Sequence, residues 1–200
     1  MKNNYILCGF LWAILYRMDR LIKNYVMDKA LTDKEMMRLV EGKARLITSP
    51  EIAEYKNIDD LLGRHGACII LYVTKILPDG SVYGHWCAVF RAGWRGDTIC
   101  YFDPYGDPPD KPLGHMSQEA VAEYGQEPVL SNMLINSGYR TVYNDAPLQK
   151  HGAGNAICGR LTGLRLQFKD LDGIQFANLM SSYPHMSSDE LAALLTSFIR

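Results

Sequence analysis

Two hundred residues, 48% hydrophobic and 22% charged, can bury one sizeable core and point to a single globular domain. A net charge of −1 excludes the uniformly basic chain of a general nucleic-acid binder. The five cysteines, Cys8, Cys68, Cys87, Cys100 and Cys158, form no C-x-x-C pair. That argues against a disulfide scaffold and a paired-cysteine zinc knuckle, and for a reducing compartment.

Residues 5–16, YILCGFLWAILY, carry no charge. The stretch is short for a membrane-spanning helix, and no small-residue cleavage site follows it. With Arg17, Arg20 and Lys23 behind it, it reads as an amphipathic extension over residues 1–26. Such an extension packs on the domain, a partner, or a membrane or capsid surface; a start at Met27 is the alternative. The folded domain is expected over residues 27–200.

Thr32 and Glu35 carry a capping-box signature, so a helix is expected through Met36, Met37, Leu39 and Val40, stopping near Gly42. Residues 57–66 read as a short helical turn ended by Gly63. ACIILYVT at 67–74 reads as a buried strand, LPDG at 77–80 as a turn, and VYGHWCAVF at 82–90 as a second strand. Alternation puts His85, Cys87 and Val89 on one face and Trp86, Ala88 and Phe90 on the other. TICYFD at 98–103 is a third strand ending at Pro104. Paired antiparallel with the second, it brings Asp103 towards His85.

Residues 103–114 are proline-rich loop. A helix is expected near Ser117 to Tyr124 and a strand over 139–144. A core helix should follow Cys158 through Leu161, Leu164 and Phe168, despite Gly163. The last helix opens with a capping box at Ser187 and Glu190 and is expected to run through Leu191, Leu194, Leu195, Phe198 and Ile199. This mixed order gives an α+β class, with a central mixed or antiparallel sheet flanked by helices.

The segment GNAICGR, residues 154–160, raises the functional question. A cysteine where a helix begins is exposed to free N–H groups and partial positive charge, both of which favour thiolate. Gly159 leaves the backbone approachable by a substrate carbonyl, and N–H groups there can donate to an oxyanion. A buried structural cysteine is the competing reading. A thiolate needs a base, and His65, His85, His115, His151 and His185 are the candidates. His85 is best placed because a strand holds it; His151 is the rival, in a glycine-rich loop. Asp103 can orient the imidazole or merely cap the turn before Pro104. Gln149 can donate to an oxyanion or be an exposed loop residue. A zinc cluster of His85, Cys87 and Cys100 on paired strands is a further alternative that no ligand spacing supports.

In chain order these residues read His85-Trp86, Asp103, Gln149, Cys158-Gly159. This order resembles the cysteine-peptidase clan that contains adenovirus protease and the SUMO-deconjugating proteases. GHW matches the clan's histidine motif. FDPYG resembles the acidic motif of the adenain-like proteases of virophages and Polinton-type transposons, and LQ…NAICGR resembles their Gln–Cys segment. The resemblance covers residues 60–170. Asp103 stands where adenovirus protease has Glu, as it does in the SUMO proteases, and the stretch from Gln149 to Cys158 is slightly longer than usual.

The resemblance implies an adenain-like fold with the catalytic cysteine at a helix N-terminus. It implies a cysteine endopeptidase that cleaves viral capsid or core precursors near glycine during maturation. Cys158, His85 and Asp103 would form the triad and Gln149 the oxyanion donor. Trp86 and Gly159 would border the substrate and oxyanion region. No cofactor and no metal are implied. The partners would be precursor proteins, inside the virion and the host cell. A ubiquitin-like-protein deconjugase or effector of the same clan is the alternative, and an inactive capsid-associated protein a remote one. The activating peptide and DNA of adenovirus protease are not carried over.

Overall fold

The computed structural model describes residues 25–93, 95–152 and 155–199. The reading of residues 5–16 therefore lies outside the described residues. Among those described, no helix is long and apolar enough to cross a membrane.

Five strands form one sheet in chain order: β1 (Arg45–Thr48), β2 (Ala67–Ile76), β3 (Val82–Arg91), β4 (Thr98–Phe102) and β5 (Arg140–Tyr143). The outer pairs, β1 with β2 and β4 with β5, are parallel; the two inner pairs are antiparallel. The α+β class with a mixed sheet flanked by helices is the observed architecture. The helices are α1 (Asp33–Leu39), α2 (Ile58–Leu62), α3 (Gln118–Tyr124), α4 (Val129–Ile135), α5 (Cys158–Gln167), α6 (Gly173–Met180) and α7 (Ser188–Leu195).

The pleat of β3 divides the core as its alternation requires. Trp86, Ala88 and Phe90 face a cluster shared with α1, α5, α6 and α7. Cys87 and Val89 face the opposite cluster, with Ile58, Leu61 and Leu62 of α2 and Leu130 and Leu134 of α4. Both sides of the central strands are dry, which explains the nearly continuous apolar run of β2.

Two glycines permit close approaches that position the site. A Cβ on Gly84 would lie 2.0 Å from the Tyr72 carbonyl oxygen, so the residue before His85 must be glycine for β3 to meet β2 beside the bulge between Val73 and Lys75. A Cβ on Gly163 would lie 2.3 Å from Leu39 Cδ2, so α5 and α1 touch through that gap.

Side chains cap most of the longer helices. Thr32, Asp172 and Ser187 each make a complete capping box, and Ser117 caps α3. The chain leaves α1 through Glu41 and Gly42, both at positive φ, close to the expected stop. The last helix differs from expectation. It ends at Leu195 and buries Asp189, Leu191, Ala192 and Ala193, followed by Thr196, while Leu194, Leu195 and Phe198 are exposed. The reason is Arg160, wholly buried in α5, whose guanidinium donates to the carbonyl and hydroxyl of Thr196, both at 3.0 Å. Satisfying that buried cation turns the Thr196 face inward.

Candidate active site

His85 stands near the start of β3, opposite Tyr72 of β2, and Asp103 follows the last residue of β4. His85 Nε2 lies 2.9 Å from Asp103 Oδ1. Asp103 is fully buried, and its oxygens are well supplied with donors. Oδ1 also accepts the Tyr105 N–H at 2.7 Å, and Oδ2 accepts the Cys87 thiol at 3.2 Å. Asn144 clamps the backbone at the same residue, accepting its N–H at 2.9 Å and donating to its carbonyl at 2.6 Å.

The turn after Asp103 has the residues such turns favour. The Asp103 carbonyl accepts the Gly106 N–H at 2.9 Å, Pro104 follows the acidic residue, and Gly106 takes positive φ. Tyr105 is thereby laid between two imidazoles. Its ring stacks on His85 at 4.8 Å and on His151 at 4.1 Å. His151, the rival base, thus lies on the far side of Tyr105 from His85.

Cys158 opens α5, partly exposed, and lines the same cleft as His85, close enough for its sulfur to bear on the ring's titration. Nε2 faces Asp103, which leaves Nδ1 for the thiol. Burial alone would push the imidazole down. The Asp103 carboxylate 2.9 Å from Nε2 opposes it and holds the ring well above its ordinary value. Cys87 is pushed up to about 12, first by burial and then by Asp103, so it remains a thiol and a neutral donor. Unlike α1, α3, α6 and α7, α5 has no side-chain cap, so no capping side chain occupies its first N–H groups.

Gln149 is 2% exposed. Its backbone N–H and that of Leu148 both donate to the Pro104 carbonyl at 2.9 Å, which hangs the segment on the Asp103 turn. Its Nε2 donates to the Asn155 carbonyl at 3.0 Å. The Ala156 N–H donates to the Met27 carbonyl at 2.8 Å, so the chain just ahead of α1 braces the residues before the cysteine.

These groups border one cleft of about 870 Å³, lined by His85, Trp86, Tyr105, Gln149, Asn155 and Cys158, with Leu46, Leu71 and Val82 on an apolar wall. All four residues read as triad and oxyanion donor are thus brought together. Trp86 is 4% exposed and sits in the core, with its carbonyl accepting the Thr162 hydroxyl at 2.9 Å. Gly159 is buried against it: an added Cβ would lie 3.0 Å from Trp86 Cδ1 and 3.1 Å from Met36 Cε. Packing beneath the site is tight there, and a side chain would fit only if Trp86 and Met36 gave way by a few tenths of an ångström. Cys100 faces the other cluster from Cys87, so it stands apart from His85. The metal-competent atoms that do converge are those of His85, Cys87 and Asp103, within 4.8 Å of one another and already hydrogen-bonded among themselves.

Sequence reasoning missed Cys87, Tyr105 and Asn144 as supporting groups. Cys87 shares the His85 face by alternation, so its nearness to Asp103 was available from the pleat. Asn144 had no local signal.

No family model matches the chain. A Sputnik virophage protein that bears the name "Uncharacterized protein V9" is 32% identical over 178 residues, spanning 86% of this chain and 97% of that protein. By that likeness over nearly the whole of both chains, the chain belongs to the family of this virophage protein.

Proposed function

We propose that the protein is a cysteine endopeptidase that cleaves virophage capsid or core precursors. The observation that carries the reading is the His85 ring, fixed 2.9 Å from the buried Asp103 carboxylate and bordering one cleft with the helix-opening Cys158. Kinship with a virophage protein supports the viral class of substrate, and the resemblance of FDPYG and the Gln–Cys segment supports the peptidase class.

In this mechanism His85 takes the Cys158 proton, and Asp103 holds the resulting imidazolium. The thiolate attacks the scissile carbonyl, forming the C–S bond and placing the electron pair on oxygen. The α5 N–H groups and the second amide proton of Gln149 stabilise that oxyanion. The intermediate collapses, the C–N bond breaks, and His85 protonates the leaving amine. Water, deprotonated by His85, then hydrolyses the thioester and returns the thiol.

The test is limiting alkylation of the folded protein with peptide mapping, alongside cleavage assays on glycine-containing capsid-precursor peptides. Preferential labelling of Cys158, lost in His85→Ala, together with cleavage that Cys158→Ala abolishes, is expected. Even labelling of several cysteines, indifferent to His85, would overturn the peptidase reading. Cleavage confined to the tail of a folded ubiquitin-like protein would overturn the substrate class.

A further inference from the structure

The loop that carries Gln149 is tied to the last helix. Asp189, the second residue of α7, is 1% exposed. Its Oδ2 accepts the Lys150 N–H at 3.1 Å and the Asn155 Nδ2 at 3.0 Å. Asn155 Nδ2 also donates to the Lys150 carbonyl at 2.9 Å, and the neighbouring Ser188 hydroxyl donates to the Leu148 carbonyl. The carbonyl of the same Asn155 receives Gln149 Nε2. One carboxylate therefore holds both ends of the segment that fixes the Gln149 amide.

The orientation of that amide follows from the chemistry of its neighbours. Gln149 Oε1, Asn155 Oδ1 and Asp189 Oδ1 are buried and accept no hydrogen bond among the described residues. Turning either amide over would set oxygen against oxygen: Gln149 Oε1 against the Asn155 carbonyl, or Asn155 Oδ1 against the Lys150 carbonyl and the Asp189 carboxylate. Each amide is thus locked through its nitrogen alone. Gln149 keeps one N–H on Asn155 and has one free. Without Asp189, Asn155 retains only Lys150, a contact within the same loop, and nothing outside the loop fixes its rotation.

We propose that Asp189 is a positioning residue, which acts through Asn155 to aim the Gln149 amide at the oxyanion. This rests on the peptidase reading. The role needs an accepting oxygen and no charge. Burial raises the Asp189 carboxyl, while the Lys150 N–H, the Asn155 amide and the Lys150 charge lower it and Glu190 raises it further. A carboxyl raised on folding is carried at a cost in stability above its folded titration, and Asp189→Asn removes that cost while keeping one accepting oxygen.

The experiment compares the wild type with Asp189→Ala, Asp189→Asn and Asn155→Ala in peptide cleavage and in Cys158 alkylation, each alone and with Gln149→Ala. Alkylation makes no oxyanion, so it reads the thiol and imidazole without the loop. Asp189→Ala should lower kcat by up to about 100-fold, as small displacements of a catalytic group do, with KM and alkylation unchanged. Asp189→Asn should restore most of kcat. In the Gln149→Ala background the loss should largely vanish, because the two residues act as one unit. Asn155→Ala keeps the carbonyl but cuts the link to Asp189. It should reproduce the kcat loss even if Asp189→Ala fails to fold. Full kcat in a folded Asn155→Ala, or equal losses with and without Gln149, would overturn the proposal. A wild type without cleavage and without selective Cys158 labelling would instead overturn the peptidase reading beneath it.

Discussion

The Pro104 carbonyl oxygen accepts the backbone N–H of Gln149 at 2.9 Å. Pro104 follows Asp103 directly, so the carboxylate beside the imidazole and the proposed oxyanion donor share one anchor. The backbones of Asp103 and Gln149 are thus fixed relative to each other, while the aim of the Gln149 amide is set by Asn155 and Asp189.

Replacing Gln149 by alanine should therefore remove one donor and little else. The expected loss is roughly 100- to 1000-fold in kcat. Alkylation of Cys158 should proceed at the wild-type rate. Steady-state kinetics beside an alkylation time course separates the two effects, and a parallel fall in both would mean that Gln149 organises the thiol as well.

Asp103→Asn should be more damaging. The asparagine sets its NH2 either against His85 Nε2 and the Tyr105 N–H together, which share Oδ1, or against the Cys87 thiol at the Oδ2 position. The first clashes donor with donor or forces the wrong tautomer, and both remove the charge that holds the imidazolium. A loss of roughly 10,000-fold in kcat is expected, by analogy with buried triad aspartates. Cys158 alkylation at neutral pH should slow as well, since the imidazolium partner loses its carboxylate. A retained alkylation rate would assign Asp103 to the turn alone.

Glu35 gives the fold a specific acid sensitivity. Burial pushes its carboxyl up, but the Lys29 ammonium and the Thr32 N–H and hydroxyl outweigh it and bring it from 4.5 to about 2. A carboxyl lowered on folding stabilises the native state above its unfolded value, and that stability is lost as pH falls through the folded one. The thermal midpoint of the wild type should exceed that of Glu35→Gln at neutral pH. The gap should narrow below pH 4.5 and close near pH 2. A gap that stays constant across that range would mean that the charge of Glu35 contributes nothing.

Gly84→Ala should destabilise the sheet at the site. Its methyl group meets the Tyr72 carbonyl, a backbone atom that can yield only by breaking the β2–β3 register. The expected cost is about 1–3 kcal/mol, with a fall in activity because His85 is the next residue. Gly114→Ala, where nothing lies within 4 Å, is the control and should stay within about 0.5 kcal/mol. Chemical denaturation of both variants checks the contrast.

Much of this arrangement was legible because it is local. Capping boxes marked the start of α1 and α7, and strict alternation sorted the two faces of β3. Asp172 and Gln175 make a third capping box, the same kind of local signal, at the start of α6. β1 offered no such mark: its four residues lie at an edge and pair in parallel with β2, so their pattern does not alternate cleanly. α4 starts after Pro128 with no side-chain cap. At the site, the spacing of His85, Asp103, Gln149 and Cys158 could be read along the chain. The bond from Lys150 to Asp189 could not, since it spans 39 positions and the aspartate looked like an ordinary first-turn acid. The apolar residues of α7 misled for a related reason, because a buried arginine elsewhere decides which face turns inward.

The long reach of Asp189 bears on timing. Ribosomes release His85, Asp103, Gln149 and Cys158 in that order, and the residue that steadies the Gln149 loop comes 31 positions after the nucleophile. On the proposed mechanism, a growing chain carries every reacting group before it carries the brace that aligns them. Synthesis itself would then act as a delay: the sulfur is made early, and the proposed oxyanion pocket is complete only when the final helix folds back onto the loop.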